Sequence, residues 1–95
     1  MRRLVEELRP ERVYLFGSRA RGDATEDSDY DLMIVVGYPV EDPYPLEVRA
    51  LQAIRGLCAP VEPLVMSRDR FEWLSGAVAS LPATIKREGR LLYAT

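Results

Sequence analysis

The stretch VYLFGSRARGDATEDSDYDLMIVV, residues 13–36, sets two apolar runs around a long charged connection. Residues 13–16 read as a short strand. Residues 30–36 read as a second strand, apolar enough to be central in its sheet. Between the runs lie Gly17-Ser18, Arg19, Arg21, Gly22 and five carboxylates: Asp23, Glu26, Asp27, Asp29 and Asp31. A hairpin turns in a handful of residues and needs no such charge.

Asp29 and Asp31 are two residues apart at the start of a strand, so their side chains share a face. Tyr30, between them, is expected to face the core. Paired carboxylates repel unless a cation sits between them, which makes them candidates for Mg²⁺ or Mn²⁺. Alone, Asp-x-Asp is an ordinary acidic loop end. Asp27, Asp29 and Asp31 also alternate as in a calcium loop. That loop needs glycine where Leu32 stands and an acidic residue where Tyr38 stands, so the match fails.

Gly17-Ser18 follows a strand and precedes a predicted helical turn. Backbone N–H groups there suit an anion, Gly17 lets a phosphate approach, and Ser18 adds a hydroxyl. Arg19 or Arg21 brings a planar guanidinium to a second phosphate. Gly17 and Gly22 have P-loop spacing, but Asp23-Ala24 replaces the required Lys-Ser/Thr. No G-x-G-x-x-G occurs. Standing alone, Gly17-Ser18 is a turn. If the two strands are antiparallel neighbours, the turn and the carboxylate pair meet at one sheet edge. That edge would then gather triphosphate, metal and carboxylates.

The 95 residues make one domain, 1–95. A chain of this size buries only roughly 60–65% of its unfolded surface, so a partner subunit would add stability. The net charge of -2 argues against coating a polyanion. A single cysteine, Cys58, excludes an internal disulfide. The absence of histidine excludes a His-based zinc site and a Ser-His-Asp triad, leaving oxygen donors for a hard cation. MRRLVEELRPE lacks a signal-peptide core, and no apolar stretch approaches ~18 residues, so a cytoplasmic protein with no membrane span is expected. Asparagine is absent, and Gln52 and Lys86 are the only residues of their kinds. Loss of thermolabile amides fits a thermophile, and a GC-rich genome explains the arginine bias equally well.

Residues 2–9 read as a helix with Leu4, Val5 and Leu8 on one face, ended by Pro10. Leu46, Ala50, Leu51, Ile54, Leu57 and Cys58 recur at helical spacing toward Pro60. Residues 61–66 form a third strand. Ser67-Arg68 opens a helix with Phe71 and Leu74 inward, and Pro82 interrupts or restarts it. At that spacing Trp73 reads as core or interface before it reads as a base-stacking residue. GRLLYAT closes as a short strand or extended arm. The order αββαβα predicts an α/β or α+β domain, a small sheet covered by helices.

Gly17-Ser18, ten residues, then Asp29-Tyr30-Asp31 resembles the Gly-Ser-x10-Asp-x-Asp signature of the polymerase-β-like nucleotidyltransferases. The wording GSRARGDATEDSDYDL is similar to the minimal nucleotidyltransferase (MNT) branch, and the resemblance covers nearly the whole chain. It implies a small mixed β-sheet packed against helices. It also implies transfer of a nucleoside monophosphate from a nucleoside triphosphate, ATP in the first place, with release of pyrophosphate. By the same resemblance Asp29 and Asp31 bind catalytic Mg²⁺ (or Mn²⁺). Gly17 and Ser18 hold the β- and γ-phosphates, assisted by Arg21 and, as the second candidate, Arg19. The family's third carboxylate, which often activates the attacking hydroxyl and joins the metal site, corresponds to Glu62 in APVEPLVMS. Glutamate there is one methylene longer than the common aspartate, and Pro63 beside it implies an edge or a bulge. The plainer alternative for Glu62 is a surface residue of an edge strand.

Members of this branch are commonly encoded beside a HEPN-domain protein in pairs that resemble toxin–antitoxin systems. The resemblance therefore implies an antitoxin that adenylylates a tyrosine of a HEPN ribonuclease, within a homo- or hetero-oligomer. The alternative is a nucleotide-binding module that neutralises its partner by binding. A nucleic-acid acceptor is disfavoured, because the chain lacks a broad basic footprint.

Overall fold

The computed structural model describes residues 2–26, 28–54 and 60–95. The elements in chain order are α1 (Arg2–Leu8), β1 (Arg12–Phe16), α2 (Ser18–Arg21), β2 (Tyr30–Val36), α3 (Tyr44–Ala53), β3 (Val61–Ser67), α4 (Arg68–Ser75), α5 (Leu81–Glu88) and β4 (Arg90–Ala94). The strands form one mixed sheet in the order β3-β2-β1-β4. β2 runs antiparallel to β1 and parallel to β3, and β4 pairs antiparallel with β1.

The run of apolar residues in β2 is explained by its place inside the sheet, where both its faces are covered. Met33 and Val35 pack with Phe71 and Ile85 of α4 and α5. Ile34 and Val36 pack on the other face with Leu4 and Leu8 of α1 and Ala50 of α3. Each of these nine side chains except Leu8 is fully shielded from solvent, and Leu8 nearly so. Helices thus sandwich the sheet and hold β2 rigidly.

Pro63 sits in β3, an edge strand, as its missing donor requires. The neighbouring outward donor, the Val65 N–H, is taken by the Glu47 carboxylate at 3.0 Å. Residues two apart on a strand share a direction, so the position of Pro63 also points outward, where no ladder bond is lost. Proline and a side-chain cap together close this edge to a further strand.

Several sequence expectations are refined. The coarse order αββαβα did not count the helical turn at Ser18, the restart at Pro82 or the closing strand, all three of which the local readings allowed and which form α2, α5 and β4. Of the two readings of Pro82, the restart is the one observed: Ser80 caps α5 by accepting from the Ala83 N–H at 3.2 Å, and Pro82 lies in its first turn. Leu51 is exposed, because the buried face of α3 runs through Ala50 and Ala53. Tyr30 is half-buried rather than core, and the Arg19 guanidinium covers its ring at 4.1 Å. Leu57 and Cys58 lie outside the described residues.

Candidate active site

β1 ends where β2 begins, and the pairing places Phe16 opposite Asp31. Gly17 therefore leaves the sheet directly beside the carboxylate. Its φ is 78°, a conformation that side chains rarely adopt, and a Cβ on it would collide with Asp31 Oδ2. Two independent constraints thus demand glycine. Ser18 opens the one-turn helix, with the N–H groups of Ala20 and Arg21 donating to the Gly17 carbonyl at 3.1 Å. Gly22, at φ 85° and ψ 8°, closes it by donating to the Ser18 carbonyl at 3.1 Å.

The parallel register of β2 and β3 pairs Asp31 with Glu62. Registered neighbours project to the same face, so Glu62 stands alongside Asp31, on the face that Met33 and Val35 continue. Its side chain is exposed. Among the described residues, no three acidic side chains converge closely enough to hold a metal ion. The closely set acids are Asp29 and Asp31. Burial, then the neighbouring Asp29 charge, raises the Asp31 carboxyl above the ordinary aspartate value, and Arg21 partly offsets this. A hard cation relieves such mutual repulsion, so the pair fits Mg²⁺ or Mn²⁺.

The two arginines have different surroundings. Arg21 is exposed, with an ion pair to Asp23 at 3.4 Å. Arg19 is half-buried and donates to the Ser28 carbonyl through Nε at 3.1 Å and Nη2 at 2.8 Å. Nothing in the local sequence pattern signals that contact, which joins residues nine apart through a loop. Three grooves of about 500 to 560 Å³ lie elsewhere, and none is lined by Gly17, Ser18, Asp29 or Asp31. The two built on Ser67 and Arg70 sit at the opposite end of β2 and β3. The carboxylate site is recognised by chemistry and register.

Residues 1–91 match the family described as the nucleotidyltransferase domain. The chain belongs to that family. A crystal structure of a candidate nucleotidyltransferase from Sulfolobus solfataricus superimposes with a TM-score of 0.63 at 26% identity, covering 96% of this chain and 74% of that one. The crystal structure of a toxin–antitoxin with AMP-PNP superimposes with a TM-score of 0.57 at 18% identity, covering 97% and 68% respectively, a likeness of fold alone. No curated protein matches the chain. The sheet and its helices are those of the nucleotidyltransferase fold, in keeping with a domain of the minimal type. Among the described residues no helix is long and apolar enough to cross a membrane.

Proposed function

We propose that the chain transfers AMP from ATP, with Mg²⁺ or Mn²⁺, to a tyrosine hydroxyl of a HEPN-domain partner and thereby silences it. The observation that carries this is the meeting of the Gly17-Ser18 turn with the Asp31 carboxylate, in a chain of the nucleotidyltransferase family. A toxin–antitoxin among the proteins of like fold supports the choice of a protein partner.

Asp29 and Asp31 would hold the cation, which neutralises charge on the triphosphate and on the leaving group. Gly17 and Ser18 take the terminal phosphates, and Arg21 adds a guanidinium. The tyrosine oxygen forms a bond to the α-phosphorus while the bond from that phosphorus to the α,β-bridging oxygen breaks. Pyrophosphate leaves with the electron pair, and the phenolic proton passes to Glu62 or to water. Glu62 is suited to the base role by its register with Asp31 and by its exposure. One observation favours a second assignment, a module that silences by binding alone: the described acids form no ready three-carboxylate centre.

The test is a transfer assay with Mg²⁺, α-labelled ATP and the product of the neighbouring gene, resolved on a denaturing gel. Label on the partner, lost in Asp31→Ala, is the expected result. A stable complex that silences the partner without labelling it would replace the enzyme with the binding module.

A further inference from the structure

Asp29 lies just outside β2, so the sheet ladder alone does not fix it. Its two neighbours are held by one side chain. The Arg19 guanidinium donates to the carbonyl of Ser28 through Nε at 3.1 Å and Nη2 at 2.8 Å, and Nη2 also approaches the Glu26 carbonyl at 3.4 Å. The same group lies 4.1 Å from the centre of the Tyr30 ring. The Ser28 carbonyl belongs to the peptide plane that delivers the Asp29 nitrogen, so fixing it fixes a dihedral next to Asp29. On the other side, the Tyr30 N–H donates to the Pro60 carbonyl at 2.9 Å, while its ring is pinned beneath the guanidinium.

We infer that Arg19 is a positioning residue for the metal-binding carboxylates, clamping both neighbours of Asp29, and that triphosphate contact falls to Arg21. This deepens the proposed function and rests on it. A phosphate ligand must have donors free to turn toward the phosphate, whereas Arg19 spends Nε and Nη2 on backbone and one face on an aromatic ring. The clamp requires a planar, forked, stacking cation. Lysine offers a point charge without the fork, so it preserves charge and loses position.

The discriminating experiment is a pair of titrations on the full chain. Mn²⁺ is titrated into nucleotide-free protein and followed by electron paramagnetic resonance. A fluorescent ATP analogue is titrated in excess chelator, so that no metal contributes. Circular dichroism confirms that each variant is folded. Arg19→Gln and Arg19→Lys are both expected to weaken Mn²⁺ binding roughly tenfold or more, the usual consequence of removing a residue that orients a ligand. Both should leave metal-free nucleotide affinity within about twofold, as expected where no phosphate contact is lost. Arg21→Gln should do the reverse. Arg19→Lys keeps the charge, so its failure to rescue Mn²⁺ binding separates position from electrostatics, and it serves as the second variant should Arg19→Gln not fold. Unchanged Mn²⁺ binding with weakened metal-free nucleotide binding in the Arg19 variants would overturn the inference alone. Wild-type protein that takes up no Mn²⁺ would overturn the active-site assignment itself, and this inference with it.

Discussion

A methyl group on residue 17 would meet the Asp31 carboxylate and force a left-handed backbone on an alanine. Gly17→Ala is therefore expected to cost about 1–2 kcal/mol from the backbone alone, read from denaturant unfolding. On the proposed function, nucleotide transfer should fall further than stability does, because the displaced carboxylate is the one assigned to the cation. Asp31 makes a second, opposite prediction. Its pKa is raised by burial and then by Asp29, so the fold prefers its neutral form. Its contribution to stability therefore falls as pH rises from the unfolded aspartate value through its own raised value, and it stays low above that. In nucleotide-free, metal-free protein, Asp31→Asn should raise Tm at neutral pH while lowering transfer by roughly a thousandfold. Mn²⁺ affinity of the wild type should begin to weaken, on acidification, at a pH above the ordinary aspartate range of about 3.9. A Tm lowered by Asp31→Asn at neutral pH would contradict the sign of the shift.

At the scale of elements, α4 and α5 are locked onto β1 by one cluster. Phe71 is fully buried and stacks on Tyr14 with ring centres 5.6 Å apart. Arg12 lies 5.4 Å from the Phe71 ring centre, and Glu72 joins Arg12 at 2.7 Å to Lys86 at 2.6 Å. Phe71→Ala is expected to cost about 3–5 kcal/mol, a large share of the stability of a domain this small. The ion pairs contribute much less. Hydrogen bonds from Lys86 and then Arg12 lower the Glu72 pKa, but its side chain is 44% exposed, so solvent screens the interaction. Glu72→Gln should cost under about 1 kcal/mol. That stabilisation is complete above the unfolded glutamate pKa of about 4.3 and vanishes as pH falls through the lower folded value. Urea unfolding of wild type and variant at neutral pH, and again well below the carboxylate range, should show the difference only at neutral pH.

The same scale shows what the sequence made legible. β2 was readable because a central strand is apolar on both faces, and β3 because Pro63 marks an edge. The N-cap Ser67 was readable from its position before Arg68 and accepts the Arg70 N–H at 3.2 Å. The buried face of α3 was only partly readable, because Leu51 continues the apolar count without continuing that face. For β4 the sequence left a strand and an extended arm open, because Leu91 and Leu92 are exposed and the strand state depends on β1, some 80 residues away in sequence. Within the candidate site, the approach of the Gly17 turn to Asp31 was legible through residue types and spacing. The Arg19 clamp was not, since a bond to a backbone carbonyl leaves no mark on residue type.

At the scale of the molecule, the position of the site sets what the chain achieves alone. In parallel α/β sheets, ligands usually settle at the carboxyl ends of the strands. Here β1 and β2 are antiparallel, so the Gly17 turn at the end of β1 meets Asp31 at the start of β2. The grooves built on Ser67 and Arg70 lie at the other end of β2 and β3. Asp31 therefore sits at the end of a central strand, away from those grooves, and on the proposed function a protein acceptor completes the site. Holding acceptor and nucleotide together is itself a large part of rate enhancement in bimolecular transfer. The isolated chain with ATP and Mg²⁺ is thus expected to release pyrophosphate only slowly. Adding the cognate partner should raise the rate by about a hundredfold or more, with label on the partner. Removing the acceptor tyrosine by Tyr→Phe in the partner should return the rate to that of the isolated chain while complex formation persists. Continuous-flow detection of pyrophosphate measures all three states. A rate already high without partner, or undiminished by the loss of the tyrosine, would show that the acceptor is water or a small molecule.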